Sequence, residues 1–171
     1  MQHKTASWFR ALAVVMAACL FPASALADPE AHGRFRDWAV FTETRGNDLV
    51  CFAATEATSK TPASANHGQV WYYVTSWKSG QARNQPSLKV GFTFQNGSAP
   101  RLTIGRSAWT KFAVGSEAFA DDADDPRIVD GIRRGASMSV TAVSARGTNV
   151  SYRFSLTGSA AAIDKAAELC R

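Results

Sequence analysis

The segment 150–156, VSYRFSL, alternates strictly between apolar and polar side chains. Its apolar positions are Val150, Tyr152, Phe154 and Leu156. Because successive side chains of a β-strand point to opposite faces, this pattern predicts a strand with one buried face and one polar face.

The same period of two recurs along the chain. It is clearest at 88–94, LKVGFTF, and weaker matches give further strand candidates at 37–43, 49–54, 69–77, 101–104, 109–114 and 138–145. Gly- and Asn-containing segments at 45–48, 96–98 and 146–149 separate them. Short strands with frequent turns predict a mainly β fold, an antiparallel immunoglobulin-like β-sandwich. The polar segment 55–68 has no periodicity and is predicted to be an exposed loop.

Two short helices are predicted, one of them at the C-terminus. Asp125 is expected to cap the first, with Pro126 at its first position and Gly135 ending it in the left-handed conformation. The second begins near Ser159 and carries apolar residues three, four and seven positions after Ile163 on one face.

The first 27 residues have the pattern of a secretory signal peptide. Lys4 and Arg10 supply the positive charge, 11–20 the apolar core, and Ala25-Leu26-Ala27 a cleavage site of small residues. Cleavage after Ala27 is therefore expected to leave 28–171 as one exported domain, in the periplasm or at the cell surface. No second long apolar run follows, which predicts a mature protein without a transmembrane segment.

The cysteines also bear on the cellular compartment of the protein. Cys19 closes the segment MAAC, which loosely resembles a lipoprotein cleavage box, so lipid attachment there is the alternative to removal with the signal. Export otherwise leaves Cys51 and Cys170, which an oxidising compartment predicts to be disulfide-bonded. Cys170 lies on the inward face of the last helix, where a strand residue can meet it. An intermolecular pair is the other possible connectivity.

The charge distribution argues against one class of partner. The chain carries a net charge of +5 at pH 7. Its basic residues are scattered, and Arg133-Arg134 is the one adjacent pair after the predicted signal. Because nucleic-acid binding needs a clustered basic stripe, we expect no nucleic-acid partner.

Several residues, in order along the chain, match a known family. Asp37-Trp38 opens the domain, Cys51 follows in the second strand, and 144–148, SARGT, is similar to the family's late hairpin. The segment 155–158, SLTG, and an alanine-rich helix ending in Cys170 complete the pattern. Over 36–171 the chain resembles the invasion-associated locus B family of exported bacterial envelope proteins.

The resemblance implies a periplasmic or surface β-sandwich, in a family named for a role in host-cell entry. It supplies no catalytic residues to carry over. The signal peptide, the expected Cys51–Cys170 bridge and the absence of a catalytic constellation predict a non-enzymatic interaction module without a cofactor, with an envelope or host protein, or a glycan, as partner. Some relatives carry an additional cysteine pair in mid-chain, which this sequence lacks.

The strand candidate 69–77 offers the best binding surface. Trp71, Tyr73 and Trp77 share one face, while the opposite face is also apolar. Such a strand is either covered on both sides as core or exposes an aromatic platform, and aromatic residues are enriched in interfaces. Arg146, in the predicted turn before Gly147, is a further candidate contact, although hairpin chemistry alone also explains this turn.

Catalytic and metal chemistry have weaker signals. Nucleophilic catalysis needs a base, yet His32 and His67 fall near the predicted new N-terminus and in the polar segment, where we expect solvated side chains. Four carboxylates lie within 121–125, DDADD, which keeps open an envelope hydrolase that uses Asp121 to Asp125, or a module stabilised by Ca²⁺. The alternative for this segment is an acidic entry to a helix, which the helix dipole favours.

Overall fold

The computed structural model describes residues 28–171, so the predicted signal peptide and Cys19 lie outside the described residues. The described chain forms two antiparallel sheets and two helices, one of them C-terminal, in a sandwich-like arrangement. The seven-stranded sheet has the order β1-β2-β3-β5-β6-β10-β9 and the five-stranded sheet the order β4-β12-β11-β7-β8. The elements are β1 Glu30–Phe35, β2 Trp38–Arg45, β3 Asp48–Glu56, β4 Ser59–Thr61, β5 Trp71–Trp77, β6 Gln85–Lys89, β7 Arg101–Ile104, β8 Ser107–Thr110, β9 Phe112–Val114, β10 Glu117–Phe119, α1 Asp125–Arg134, β11 Ser137–Val143, β12 Asn149–Ser155 and α2 Ser159–Leu169. The mainly β fold is thus confirmed.

The alternating segment that identifies the fold is β12. Val150, Tyr152 and Phe154 are buried, as the alternation predicts, and β12 pairs with β11 along its whole length. The buried residues of both sheets and both helices join in one core, whose largest fully buried side chains include Trp38, Tyr72 and Tyr152.

The extended prediction for 88–94 is wrong beyond Lys89. Val90 and Phe94 are buried, but their amides bond to the carbonyls of Ser116 and Gly115 and not to a strand partner along a ladder. The reason is a backbone crossing at Gly91, where a Cβ atom would lie 2.7 Å from the Cα of Gly68. Side-chain alternation persists through this crossing, but strand pairing does not.

Helix α1 differs from its prediction at both ends. It begins at Asp125, and Asp124 takes the N-cap position that Asp125 was expected to hold. Gly135 has φ −77°, an extended conformation, so it does not end the helix in the left-handed region. Position 135 requires glycine for a steric reason, because a Cβ atom there would come within 2.8 Å of Leu156 Cδ1 and 2.9 Å of the Gly131 carbonyl oxygen.

Helix α2 closes the core and carries the disulfide. It packs on β2 and β3 and buries Ile163 and Ala166. Cys170 follows its last residue, and Cys51 lies on the inner face of β3; the two form an intramolecular disulfide with a Cα–Cα distance of 5.8 Å. The bond therefore fixes the C-terminal helix to a central strand 119 positions earlier in the chain.

The segment 55–68 is only partly the exposed loop that its composition predicts. Residues 59–61 form β4, which pairs with β12, and His67 is 6 % exposed. The His67 Nδ1 lies 3.0 Å from the Tyr152 hydroxyl and its Nε2 lies 2.8 Å from the Pro62 carbonyl. Because that carbonyl can only accept, Nε2 of His67 carries a proton and donates it to Pro62. The expectation of a solvated His67 is therefore wrong. His32 is half-buried and bonds to the Thr42 hydroxyl at 2.7 Å.

Removal of the disulfide tests its contribution to stability. Replacing Cys51 and Cys170 together by Ala is expected to lower the free energy of unfolding by about 4–5 kcal/mol, because a long loop in the unfolded chain is no longer closed. Urea denaturation with and without reductant measures this. Reductant should destabilise the wild type and leave the double variant unchanged; equal midpoints for wild type and variant would contradict the assignment.

The role of His67 is tested in the same assay. His67→Ala leaves the Tyr152 hydroxyl without its partner and removes one of the two donors to the Pro62 carbonyl, which keeps the Ala65 amide, so we expect a loss of about 2–3 kcal/mol in the free energy of unfolding. Tyr152→Phe removes one bond and should cost about 1 kcal/mol. His32→Ala is the control, with an expected loss below about 1 kcal/mol. A loss for His67→Ala no larger than the control would show that His67 does not hold the segment.

Candidate functional site

Strand β5 has two apolar faces with different surroundings. Tyr72, Val74 and Ser76 are buried against the core, while Trp71, Tyr73 and Trp77 point to the outer face of the seven-stranded sheet. The outer three are half-buried. The prediction that these three share a face is thus correct, and that face is not the sandwich core.

Neighbouring strands extend this surface. Val50, Phe52 and Ala54 of β3 and Phe41 of β2 pack with the three β5 aromatics in a second apolar cluster, separate from the core. Ring centroids are 5.5 Å apart for Phe41–Phe52, 5.7 Å for Phe52–Tyr73 and 6.4 Å for Trp71–Tyr73. We call this cluster the aromatic face: Phe41, Val50, Phe52, Ala54, Trp71, Tyr73 and Trp77. The first pair is stacked, the second meets edge to face and the third is tilted. Stacked and edge-to-face contacts are favoured geometries of aromatic pairs, so the rings support one another.

A groove borders the aromatic face. On β6, Ser87 lies in register with Tyr73 on one side and with Phe119 of β10 on the other. Phe119 in turn stands 6.0 Å from Phe112 of β9, which is 54 % exposed. Ser87 lies between these aromatic walls, and with Thr75 and Gln85, the next pair along β5 and β6, it lines the polar floor of the groove. The cavity has a volume of about 870 Å³, within the range of small-molecule and peptide sites.

The charges around the groove are paired. Glu43 bonds to Arg45, whose guanidinium stands 5.9 Å from the Trp77 ring, and Lys89 bonds to Glu117 at 3.1 Å. Burial raises the pKa of Tyr73, and the carboxylates of Glu117 and Glu43 raise it further against the lowering effect of Arg45. The Tyr73 phenol is therefore neutral and can donate or accept a hydrogen bond.

Arg146 does not belong to this site. It is exposed in the turn that joins β11 and β12 of the five-stranded sheet, whereas the groove lies on the seven-stranded sheet. Gly147 has φ +79°, as the hairpin explanation of this turn requires. The structure therefore separates Arg146 from Trp71, Tyr73 and Trp77.

The carboxylates of 121–125 have different environments. Asp121 accepts from the Ala123 amide, Asp124 pairs with Arg127 at 3.6 Å, and Asp125 is buried. Among residues 28–171, no group of three or more His, Cys, Asp or Glu side chains is arranged to hold a metal ion. This arrangement gives the Ca²⁺ hypothesis no geometric support.

A buried polar cluster lies beneath α1. Lys111 is 1 % exposed; its Nζ donates to the Pro86 carbonyl at 3.3 Å and stands 5.4 Å from the Tyr72 ring. The Tyr72 hydroxyl and Asp125 Oδ1 are buried without a hydrogen-bond partner among the described residues. Burial lowers the pKa of Lys111 to about 8, against the opposing effect of Asp125. Burial likewise raises the pKa of Asp125 to about 6, against the lowering effect of Lys111.

This cluster was not predicted, yet the sequence contains a signal for it. In the alternating segment 109–114, Lys111 shares a face with Trp109 and Ala113. A lysine among inward-facing apolar positions is expected either to end a strand or to be buried with a partner.

The family comparison covers every described strand except β1, all of α1 and most of α2. The model for the invasion associated locus B (IalB) protein matches residues 38–167. The chain belongs to the IalB family. No curated protein and no solved structure matches it. The matched region contains the aromatic face, the groove and Cys51, while Cys170 lies three positions beyond it. Within residues 28–171 of this IalB-family chain, no helix is long and apolar enough to span a membrane.

The raised pKa of Asp125 predicts a pH-dependent stability. Between its ordinary value of 3.8 and about 6, the folded state holds more protons at this carboxyl than the unfolded state. The protonated Asp125 carboxyl therefore contributes fully to the free energy of unfolding below its ordinary pKa, and this contribution is lost as the pH rises to about 6. Over the same interval Lys111 is charged in both the folded and the unfolded state. Asp125→Asn does not titrate, so the variant should gain about 1–3 kcal/mol relative to wild type over this interval.

Urea denaturation at a series of pH values measures the difference. Asp28→Asn, an exposed carboxyl that does not act on Asp125, is the control and should follow the wild type. A difference between Asp125→Asn and wild type that does not change with pH would contradict the assignment.

Proposed function

We propose that this IalB-family chain is a non-enzymatic, exported envelope protein that binds a partner through the groove and its aromatic face. The observation that carries the proposal is the second apolar cluster, in which four half-buried aromatic rings pack over three buried side chains on the outer side of the seven-stranded sheet. Contiguous apolar surface of this kind, bordered by polar residues, is typical of interaction sites.

Export is supported by the disulfide. A bond between Cys51 and Cys170 forms and persists in an oxidising compartment, such as the periplasm or the cell surface. The predicted signal peptide agrees with this location. We therefore propose that the partner is an envelope or host protein or glycan, encountered outside the cytoplasm.

Arg146 is a separate candidate contact in this proposal. Its exposure in a turn of the opposite sheet would allow it to touch a second part of a large partner or a different partner. Its substitution is therefore tested independently of the groove.

A hydrolase that uses the Asp121–Asp125 carboxylates is the second candidate function. The observation that favours it is the pKa of about 6 at Asp125, a value suited to a general acid. A pH-dependent activity that is lost in Asp125→Asn would support this candidate, and an inactive protein across a broad panel of envelope substrates would oppose it.

Site-directed photocrosslinking in the native envelope tests the binding proposal. A photoreactive residue at Gln69, an exposed position on the rim of the groove, should capture a discrete partner, identified by mass spectrometry. The same residue at Thr141, exposed on the opposite sheet, is the control. We expect capture from Gln69 only, its loss with Trp71→Ala or Tyr73→Ala, and its persistence with Arg146→Ala. Equal capture at both positions, or capture unaffected by Trp71→Ala, would contradict the proposal.

A further inference from the structure

We infer that the groove binds an uncharged oligosaccharide of β-linked pyranose rings, held between Tyr73 and Phe119 over the floor of Thr75, Gln85 and Ser87. The inference rests on the proposed function and names the ligand class of the same surface. It follows from the position of the groove in the sheet, the spacing of its walls, its floor and its charges.

The position of the groove excludes recognition by strand addition. Its floor lies on β5 and β6, each of which is paired on both sides, while the free edges of the seven-stranded sheet are β1 and β9. An extended peptide adds to a sheet through unpaired backbone groups at an edge. A ligand in this groove is therefore recognised by side chains, through aromatic surfaces and hydroxyl or amide groups.

The spacing of the walls suits a sugar ring. Tyr73 and Phe119 are both in register with Ser87, so they stand two strand separations apart, about 10 Å. A ring of C–H groups can lie against one aromatic face in that gap, because the negative face of the aromatic ring attracts the positively polarised C–H groups. Pyranoses with equatorial substituents present such flat C–H faces. An equatorial (β) link also extends the chain in line with these faces, whereas an axial (α) link bends the next ring away from them.

The floor supplies hydrogen-bonding groups that a purely apolar ligand would leave unsatisfied. The side chains of Thr75, Gln85 and Ser87 point into the groove, and none makes a hydrogen bond to another group within the described part of the chain. Burying them under an apolar segment would remove their water without replacement, at a cost for each group. Sugar hydroxyls would replace that water.

The charge pattern favours a neutral ligand. The acidic and basic groups at the rim form the pairs Glu43–Arg45 and Lys89–Glu117. A strongly anionic or cationic ligand would have to compete with these pairs for its counter-charge. A neutral oligosaccharide can enter the groove with both pairs intact.

Calorimetry on the disulfide-bonded protein tests the inference, with chitotetraose and cellotetraose as probes and maltotetraose, an α-linked chain, as the comparison. We expect at least one β-linked probe to bind with Kd below about 1 mM, and maltotetraose to bind at least about tenfold more weakly. Ser87→Arg fills the floor without removing an aromatic ring and should weaken binding at least about tenfold. Ser139→Arg, an equally half-buried serine on the opposite sheet, is the matched control and should bind as the wild type does.

The outcomes separate this inference from the proposed function. Absence of binding by both β-linked probes at about 10 mM, or binding that Ser87→Arg does not change, overturns the oligosaccharide. If the Gln69 crosslinker then still captures a polypeptide in a Trp71-dependent manner, the groove is a protein-binding surface, and if that polypeptide is a second copy of this chain, it is a self-association surface. If neither probe nor crosslinker reports a ligand, the inference and the proposed function both fail.

Discussion

The pairing of β3 with β5 is the constraint on which the rest of the structure depends. Both strands are apolar on both faces, so the same pair of strands contributes side chains to the core on one side and to the aromatic face on the other. On the inner side, Cys51 fixes helix α2 and Tyr72 enters the core; on the outer side, Phe52 and Tyr73 contact each other edge to face. A shift of register by one residue would exchange the two sets of side chains. The surface that we propose for binding is therefore built on a ladder whose register the core fixes, as a preorganised site requires.

A buried lysine connects this ladder to the far wall of the groove. Lys111 donates to the carbonyl of Pro86, whose neighbours Gln85 and Ser87 form part of the floor. Its own neighbour Phe112 begins β9 and stands against Phe119. The Lys111 amine, which costs free energy to bury, therefore links the floor of the groove to its far wall. Burial shifts the pKa values of Lys111 and Asp125, and it outweighs the opposing effect that each of these two groups has on the other.

Local alternation predicts most of the fold. The buried faces of β12 and β5 follow from a period of two, and the contact between Cys51 and Cys170 follows from helix periodicity together with export. The groove could not be predicted, because Ser87 and Phe119 meet through the register of strands that are distant in sequence. The same holds for His67, whose partner Tyr152 is 85 positions away. The backbone crossing of Gly68 and Gly91 likewise depends on tertiary packing, which overrides the alternation of 88–94.

The most direct test of the central claim is hydroxyl-radical footprinting of the aromatic face, in the purified protein and in the intact envelope. Trp71, Tyr73 and Trp77 are half-exposed in the isolated chain and should be oxidised there. In the envelope we expect them to be protected by the bound partner, while Trp109, half-buried on β8 of the other sheet, is oxidised equally in both states. Equal oxidation of the aromatic face in both states would contradict the claim that it binds a partner.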